Sequence, residues 1–492
     1  MKLQCLIQQE LLNNLMSKRF FVAVVMTVLL VVANTSVLIT AYKEGLDDYS
    51  QRVSVNRKEV TEVPTYSLLA LKVLRPPTPL SIFSAGLETR FGSEIDIGFD
   101  SVPTLSSSQK PLGLKNPYLK LFSQIDLVSV FQVVLSLLAL IFAYDAIAGD
   151  WEAGTLRLVI SHPVQRGTIL FAKYIAAMLC LLLPVLLSLL MSLMLCDLSS
   201  SLRMESADFL RVGCIFLTTI TYLSVFYLSG LLISTITRRA STSLIFSVFL
   251  WVFWVLIYPN WVSVTLKSVG DQRVERISVD RHIAQISEAA DREEQRYLAN
   301  SPLQGKPPRF RDIFGVVSWQ HGDFPRIQGE LKNPASPLVV HLLRFYEFSV
   351  TLRIQSAEKI GLIRQQLEAQ TYLRQAQTEG RLLKISPASL YTQVTSAWAS
   401  TDLGAMHDYV RSAQAYRHAL IDAFEDQNAF GSLQWFATNQ GPLDMSFLPH
   451  FVFKRSDIRE SAQRALPGIF FLLLANLVLF TATILIFIKI EV

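Results

Sequence analysis

The sequence predicts an α-helical polytopic membrane protein, with six transmembrane helices and a mostly α-helical extracytoplasmic domain. Three observations predict it. Only 17% of the 492 residues are charged and 51% are hydrophobic, against about 25% charged in an average soluble domain. Six apolar runs each reach the length of about 20 residues that a helix needs to cross a bilayer. Between runs five and six lies a polar stretch with helical periodicity, of about 200 residues, large enough to bury a core of its own.

In residues 1–19, "MKLQCLIQQELLNNLMSKR", Leu3, Leu6, Ile7, Leu11 and Leu15 recur at helical spacing among polar neighbours. That pattern predicts an amphipathic helix lying on the membrane surface. Span one, 20–42, has an apolar core of about 20 residues, longer than the 7–15 of a secretory signal. No A-x-A site follows it, so it is expected to remain as an anchor.

Segment 43–124 holds "LRPPTPLSIFSAGLE", where Pro76, Pro77 and Pro79 block regular helix. Its "TLSSSQKPLGLKNP" reads as loop, and the whole segment is expected to pack against the larger polar region. Span two, 125–146, is followed by a loop at 147–168. Spans three, four and five occupy 169–195, 209–236 and 244–264, with a short turn near Asp197–Asp208. The end of span five, "WVFWVLIYPNW", supplies Trp251, Trp254, Tyr258 and Trp261 as an interfacial aromatic belt, and Pro259 is expected to stop the helix.

Residues 265–465 show helical patterns at 274–298, 337–383 and 406–430. These are interrupted by "NSPLQGKPPRFRDIFG" and by Pro387. Long antiparallel helices are expected, with heptads too imperfect for a continuous two-stranded coiled coil. Span six covers 466–488.

Lysine and arginine in the short flanks set orientation. Lys18, Arg19, Arg157, Arg166, Lys173, Arg238, Arg239 and Lys489 all fall on one side of a six-span chain. Both termini and the loop at 147–168 are therefore expected in the cytoplasm, and 43–124 and 265–465 outside. Lys454, Arg455, Arg459 and Arg464 lie on the far side, where long translocated domains weigh little.

The chemistry of the chain is mostly exclusion. The net charge is +5, with basic residues at the ends of apolar runs and not in one block, which argues against nucleic acid as a partner. The four cysteines, Cys5, Cys180, Cys196 and Cys214, form no CxxC or zinc spacing, and 265–465 has none. "QGKPP" at 304–308 lacks the first glycine and the Ser/Thr of a P-loop, so the chain is expected to hydrolyse no nucleotide alone. "LSGLL" at 228–232 sits inside an apolar span and reads as helix packing. His407 and His418 lie about 16 Å apart along one helix and cannot share an ion. His321 and Asp323 in "WQHGD" make only two ligands, so no metal site is expected. HExxH, G-x-S-x-G and Cys/His nucleophile arrangements are missing, so no catalytic residue is expected. Gln132, Asn34 and Asn476 are polar groups inside spans; interhelical hydrogen bonds account for them as well as a translocation path does.

The loop "YDAIAGDWEAGTLRLVISHPVQRGTILFAKY" carries the remaining signal. Asp150 or Thr155 can cap a helix start, with Glu152 near the positive end of its dipole. Gly154 permits a tight approach. Leu156, Leu158, Val159 and Ile160 give a short apolar face that ends at His162-Pro163. A stub helix of about two turns, parallel to the membrane, is one reading; an amphipathic surface loop packed on its own spans is the other.

"DWEAGTLRLVISHPVQRGTILFAKYIA" resembles the E-x-G-T-L … P-v-x-R … g-K motif of ABC-2 type transporter permeases. Glu152, Gly154, Thr155, Leu156, Pro163, Arg166 and Lys173 take the motif positions, while His162 stands where a Ser or Thr is usual. The chain also resembles the subgroup with a large extracytoplasmic insertion between spans five and six. The resemblance implies an ABC-2 or type V exporter-like fold, in which this loop is a coupling helix that docks on an ATPase. Trp151, Glu152, Gly154, Thr155, Leu156, Pro163 and Arg166 would then form the docking site. It further implies two ATPase subunits per complex, which would bind the ATP and Mg that this chain does not. A second permease protomer, identical or a sister, would complete the complex in a bacterial inner membrane. Export of a hydrophobic or amphipathic substrate is the first expectation. Driving a periplasmic partner without moving substrate is the alternative, and a passive scaffold a third.

Overall fold

The computed structural model describes residues 2–88, 92–105, 125–156, 165–200, 202–269, 273–300, 309–310, 317–318, 333, 335–368, 374–437 and 441–489. Six helices in it are long and apolar enough to cross a membrane: Phe20–Thr61, Leu127–Glu152, Arg166–Leu198, Ser206–Ile236, Ala240–Val262 and Ile458–Lys489. The protein is a polytopic helical membrane protein, and these helices are spans 1 to 6 below.

Ahead of span 1, helix α1 (Lys2–Leu15) lies along span 3. Leu3, Leu6, Ile7 and Leu11 are half-buried, while Leu12 and Leu15 are exposed. Ser17 then starts a new helix by accepting a hydrogen bond from the Phe20 amide at 3.2 Å. That helix runs unbroken for 44 residues, Lys18–Thr61. At 1.5 Å per residue it is about 66 Å long, twice the hydrocarbon thickness of about 30 Å. Its polar second half therefore continues past the apolar run, with Asp48 and Arg52 paired at 2.9 Å one turn apart. No proline interrupts it before Pro64.

The segment that follows contains a two-stranded antiparallel sheet, β1 (Leu71–Leu74) with β2 (Glu94–Ile97), Val73 opposite Ile95. The sequence reading missed these strands because four residues are too few to establish an alternation. Val73, Ile95 and Phe99 join Phe345, Tyr409, Phe424 and Trp435 in a core separate from that of the spans. Edge-to-face contacts hold it: Phe99 to Phe424 at 5.1 Å and to Trp435 at 5.6 Å between ring centres.

Among the described residues, five longer helices lie between spans 5 and 6: α2 (Arg273–Ala299), α3 (Pro337–Glu368), α4 (Arg374–Leu383), α5 (Pro387–Ala399) and α6 (Leu403–Asp426). On α3, Arg353 clamps α2 by reaching Asp291 at 2.6 Å and Glu294 at 2.7 Å. The prolines at 307 and 308 and the His321/Asp323 pair lie outside the described residues.

Helix α5 belongs to the core of the spans. Its Tyr391, Val394, Ala397 and Trp398 are buried with residues of spans 2 and 4. Tyr391 stacks on Tyr222 of span 4 with ring centres 4.3 Å apart, and its hydroxyl meets Thr219 at 2.8 Å. On span 6, Gly468 faces Val394 so closely that a Cβ would sit 2.4 Å from a Val394 methyl.

Pro259 does not stop span 5. The α-helix Ala240–Trp251 widens into a π-helical turn, Val252–Ile257, and resumes as Tyr258–Val269. Pro259 is the second residue of the resumed segment. After the change of hydrogen-bond register, its missing N–H costs little at such a position. The four cysteines are free thiols.

Candidate functional site

The loop between spans 2 and 3 is built on a helix break. The α-helical part of span 2, Ser136–Ala143, gives way to a turn and restarts as Ala148–Glu152. Ser234 of span 4 fixes the break. Its hydroxyl donates to the Tyr144 carbonyl at 2.9 Å and accepts from the amides of Ile147 and Ala148 at 3.1 and 3.0 Å. One side chain thus satisfies three main-chain groups that a broken helix would leave bare. Beside it Gly230 lets the helices close, since a Cβ there would lie 2.7 Å from that of Ala143.

This geometry corrects the expectation that Asp150 caps a helix start. Asp150 lies inside the restarted helix, whose N-cap is Ile147, and Glu152 ends that helix instead of starting one. Asp150 pairs with Lys173 at 3.1 Å, and Lys173 also holds Glu10 of α1 at 2.9 Å. The Thr155 hydroxyl donates back to the Asp150 carbonyl at 3.2 Å, and the residues after Leu156 that it was expected to cap lie outside the described residues. The sequence reading did not anticipate this short helix, because the hydroxyl that holds its start belongs to Ser234, a residue far away in sequence.

The other described residues of the motif have the following surroundings. The Arg238 guanidinium sits over the Trp151 ring, 5.4 Å from its centre. Glu152 accepts from the Ala240 amide at 3.0 Å, so a carboxylate closes the first turn of span 5 at the positive end of its dipole. Gly154 has φ of +71°, with open space around it, so backbone conformation and not crowding favours glycine there. Leu156 is buried against the spans. Arg166 donates to the Ile488 carbonyl at 2.8 Å, at the last turn of span 6. Pro163, with Leu158, Val159, Ile160 and His162, lies outside the described residues.

The intramembrane polar groups do not share a site. Gln132 accepts from Thr392 of α5 at 2.9 Å. Asn476 donates to the Thr221 carbonyl of span 4 at 3.0 Å. Asn34 is buried on span 1, next to Thr35, whose hydroxyl meets Ser192 of span 3 at 3.2 Å. Among the described residues, no group of three His, Cys, Asp or Glu side chains is placed to hold a metal ion.

Sequence reasoning missed Ser234, Glu10 and the second role of Arg238, which it read only as a topology signal. All three act across the fold, and no local spacing marks them.

Comparison with known proteins agrees with this picture. Residues 4–490 match the family model described as ABC-2 family transporter protein. The chain is similar to the "Probable ABC transporter permease protein NosY" of Stutzerimonas stutzeri, 44% identical over 61 residues, 12% of this chain and 22% of that protein. It is also similar to the protein of the same name from Pseudomonas aeruginosa, 31% identical over 136 residues, 27% of this chain and 41% of the relative. The chain thus covers less than half the length of these curated relatives.

Proposed function

The chain belongs to the ABC-2 family of transporter proteins, and from that membership we propose that it is the permease subunit of an ATP-binding cassette transporter. In this reading a separate ATPase binds the loop Trp151–Arg166 and drives export of a hydrophobic or amphipathic substrate. Two ATPase subunits and a second permease copy, identical or a sister, complete the complex. The loop, α1 and both termini face the cytoplasm of a bacterial cell; β1, β2 and helices α2, α3, α4 and α6 face outward, and α5 packs among the spans. ATP and Mg bind the partner, and this chain contributes no catalytic residue.

One observation carries the reading. Three charged residues of the loop motif each bind a different element: Glu152 the start of span 5, Arg166 the end of span 6, and Lys173 the N-terminal helix. A force on this loop therefore reaches three elements directly. Reconstituted complex in inverted vesicles should accumulate an amphipathic substrate with ATP. Failure with every amphipathic compound tried, while ATP hydrolysis stays intact, would overturn export.

A second reading has its own support: the complex works on an outer partner without moving substrate. Span 6 is one helix from Ile458 to Lys489. Near one end it meets Arg166; near the other, Arg464 pairs with Asp402 at 3.4 Å, at the start of α6. A single rod thus joins the loop to the domain. Cross-linking spans 2 and 5 together should abolish export but spare such mechanical transmission.

A further inference from the structure

Near the middle of the bundle, spans 4, 5 and 6 leave a cleft of about 230 Å³ between them. Val225, Ser229, Leu250, Trp254, Ala475 and Val478 line it, and Ile385 and Pro387, at the entry to α5, close its top. The lining offers water almost nothing. The hydroxyl of Ser229 is spent on the Val225 carbonyl of its own helix at 2.7 Å, and a buried water needs two to four polar partners. The cleft is therefore an apolar space between helices long and apolar enough to cross a membrane.

A cation stands over it. Lys384 directly precedes Ile385 in the roof, and its ammonium lies 5.9 Å from the centre of the Phe471 ring. Phe471, Ala475 and Val478 follow one another at helical spacing on a single face of span 6. The ammonium thus sits about one turn above the lining residue Ala475. Val478 lies roughly 10 Å below the Phe471 level, within the half-thickness of about 15 Å of one leaflet. Lys384 is half-buried and makes no ion pair among the described residues. Trp254 and Tyr258, rings 5.3 Å apart, flank the same level as an interfacial pair would.

We propose that this cleft is a binding site for one anionic phospholipid, an acyl chain lying between spans 4, 5 and 6 and the headgroup phosphate on Lys384. The charge complementarity and the depth select a lipid. A free phosphate would leave the apolar space unfilled, and a neutral hydrocarbon would leave the ammonium without an anion. The proposal is independent of which ATPase, if any, the loop binds.

The test uses the detergent-purified full chain and phosphatidylglycerol brominated in the middle of its acyl chains, which quenches nearby tryptophan. The readout is the quenching lost in Trp254→Phe, which isolates the ring that lines the cleft. Wild type should show saturable quenching at one lipid per chain. Lys384→Glu should raise the half-saturating lipid concentration at least tenfold, and Lys384→Arg should restore it. Ser229→Phe, which fills the cleft, should abolish the Trp254 component while the thermal midpoint stays near that of wild type. Equal half-saturation for Lys384→Glu and wild type would overturn the headgroup assignment. Persistence of quenching in a folded Ser229→Phe would overturn the cleft. Unsaturable quenching that rises in proportion to lipid would mean ordinary boundary lipid and sink the proposal.

Discussion

Glu152 and Ala240 are 88 positions apart, yet the carboxylate of one accepts the amide of the other at 3.0 Å. A residue of the loop between spans 2 and 3 therefore caps span 5. Replacing such a capping group by one that cannot accept costs about 1 kcal/mol. Glu152→Gln, which keeps an acceptor, should leave the amide exchange of span 5 unchanged. Glu152→Ala should lower the melting temperature by only about a degree in a chain of this length but leave span 5 frayed at its start, measurable as faster amide exchange at residues 240–243. Equal exchange in both variants would show that the cap does nothing.

Arg166 and the Ile488 carbonyl form the matching contact at the end of span 6. The pair is exposed, so Arg166→Gln should change the melting temperature little. It should nevertheless reduce ATP-dependent work severalfold while ATP hydrolysis continues. Unchanged coupling in Arg166→Gln would remove span 6 from the transmission path.

Gly468 and Val394 test the seating of α5 on span 6. A methyl group at 468 would meet the Val394 side chain at 2.4 Å, and overpacking of this kind costs about 1–3 kcal/mol. Gly468→Ala should destabilise the protein, and adding Val394→Ala should recover most of the loss. If the two substitutions are additive, the contact is not tight in the membrane.

The pattern of success in reading the sequence follows from range. Long apolar runs are local signals, and the six helices long and apolar enough to cross a membrane lie where those runs do. The cap at Ser234, the ion pair from Lys173 to Glu10 and the clamp of Arg353 on α2 are made by residues distant in the chain, so no spacing shows them. Pro259 misled because a π-helical turn one residue upstream changes the register. Helix α5 was a missed signal: Ile385–Thr401 carries no charge at all, between Lys384 and Asp402, which suits burial among spans better than exposure on a domain.

Acid should weaken the domain formed by β1, β2 and the helices after span 5. Burial lowers the proton affinity of His407 below its usual value, with Glu368 opposing and Arg411 adding. His341 is lowered by burial and by Arg344. In both cases the unfolded chain binds more protons than the folded one as pH falls through about 6.5. The stability they contribute is complete above that pH and is lost below it, down to the folded values. The melting temperature should drop between pH 7.5 and 5.5, and the drop should shrink in the His341→Gln, His407→Gln double variant. An equal drop would assign the effect to other groups.

The most direct test of the central claim, that the loop Trp151–Arg166 is the socket for a separate ATPase, is purification of the tagged full chain from its native membrane in mild detergent. Gly154→Val serves as the comparison, because a β-branched residue is strained at the φ of +71° found there. The account predicts an ATPase subunit in equal amount with the wild-type chain. The variant should lose that subunit while keeping a wild-type melting profile. A wild-type preparation without any ATPase, or one retained equally by the folded variant, would contradict it.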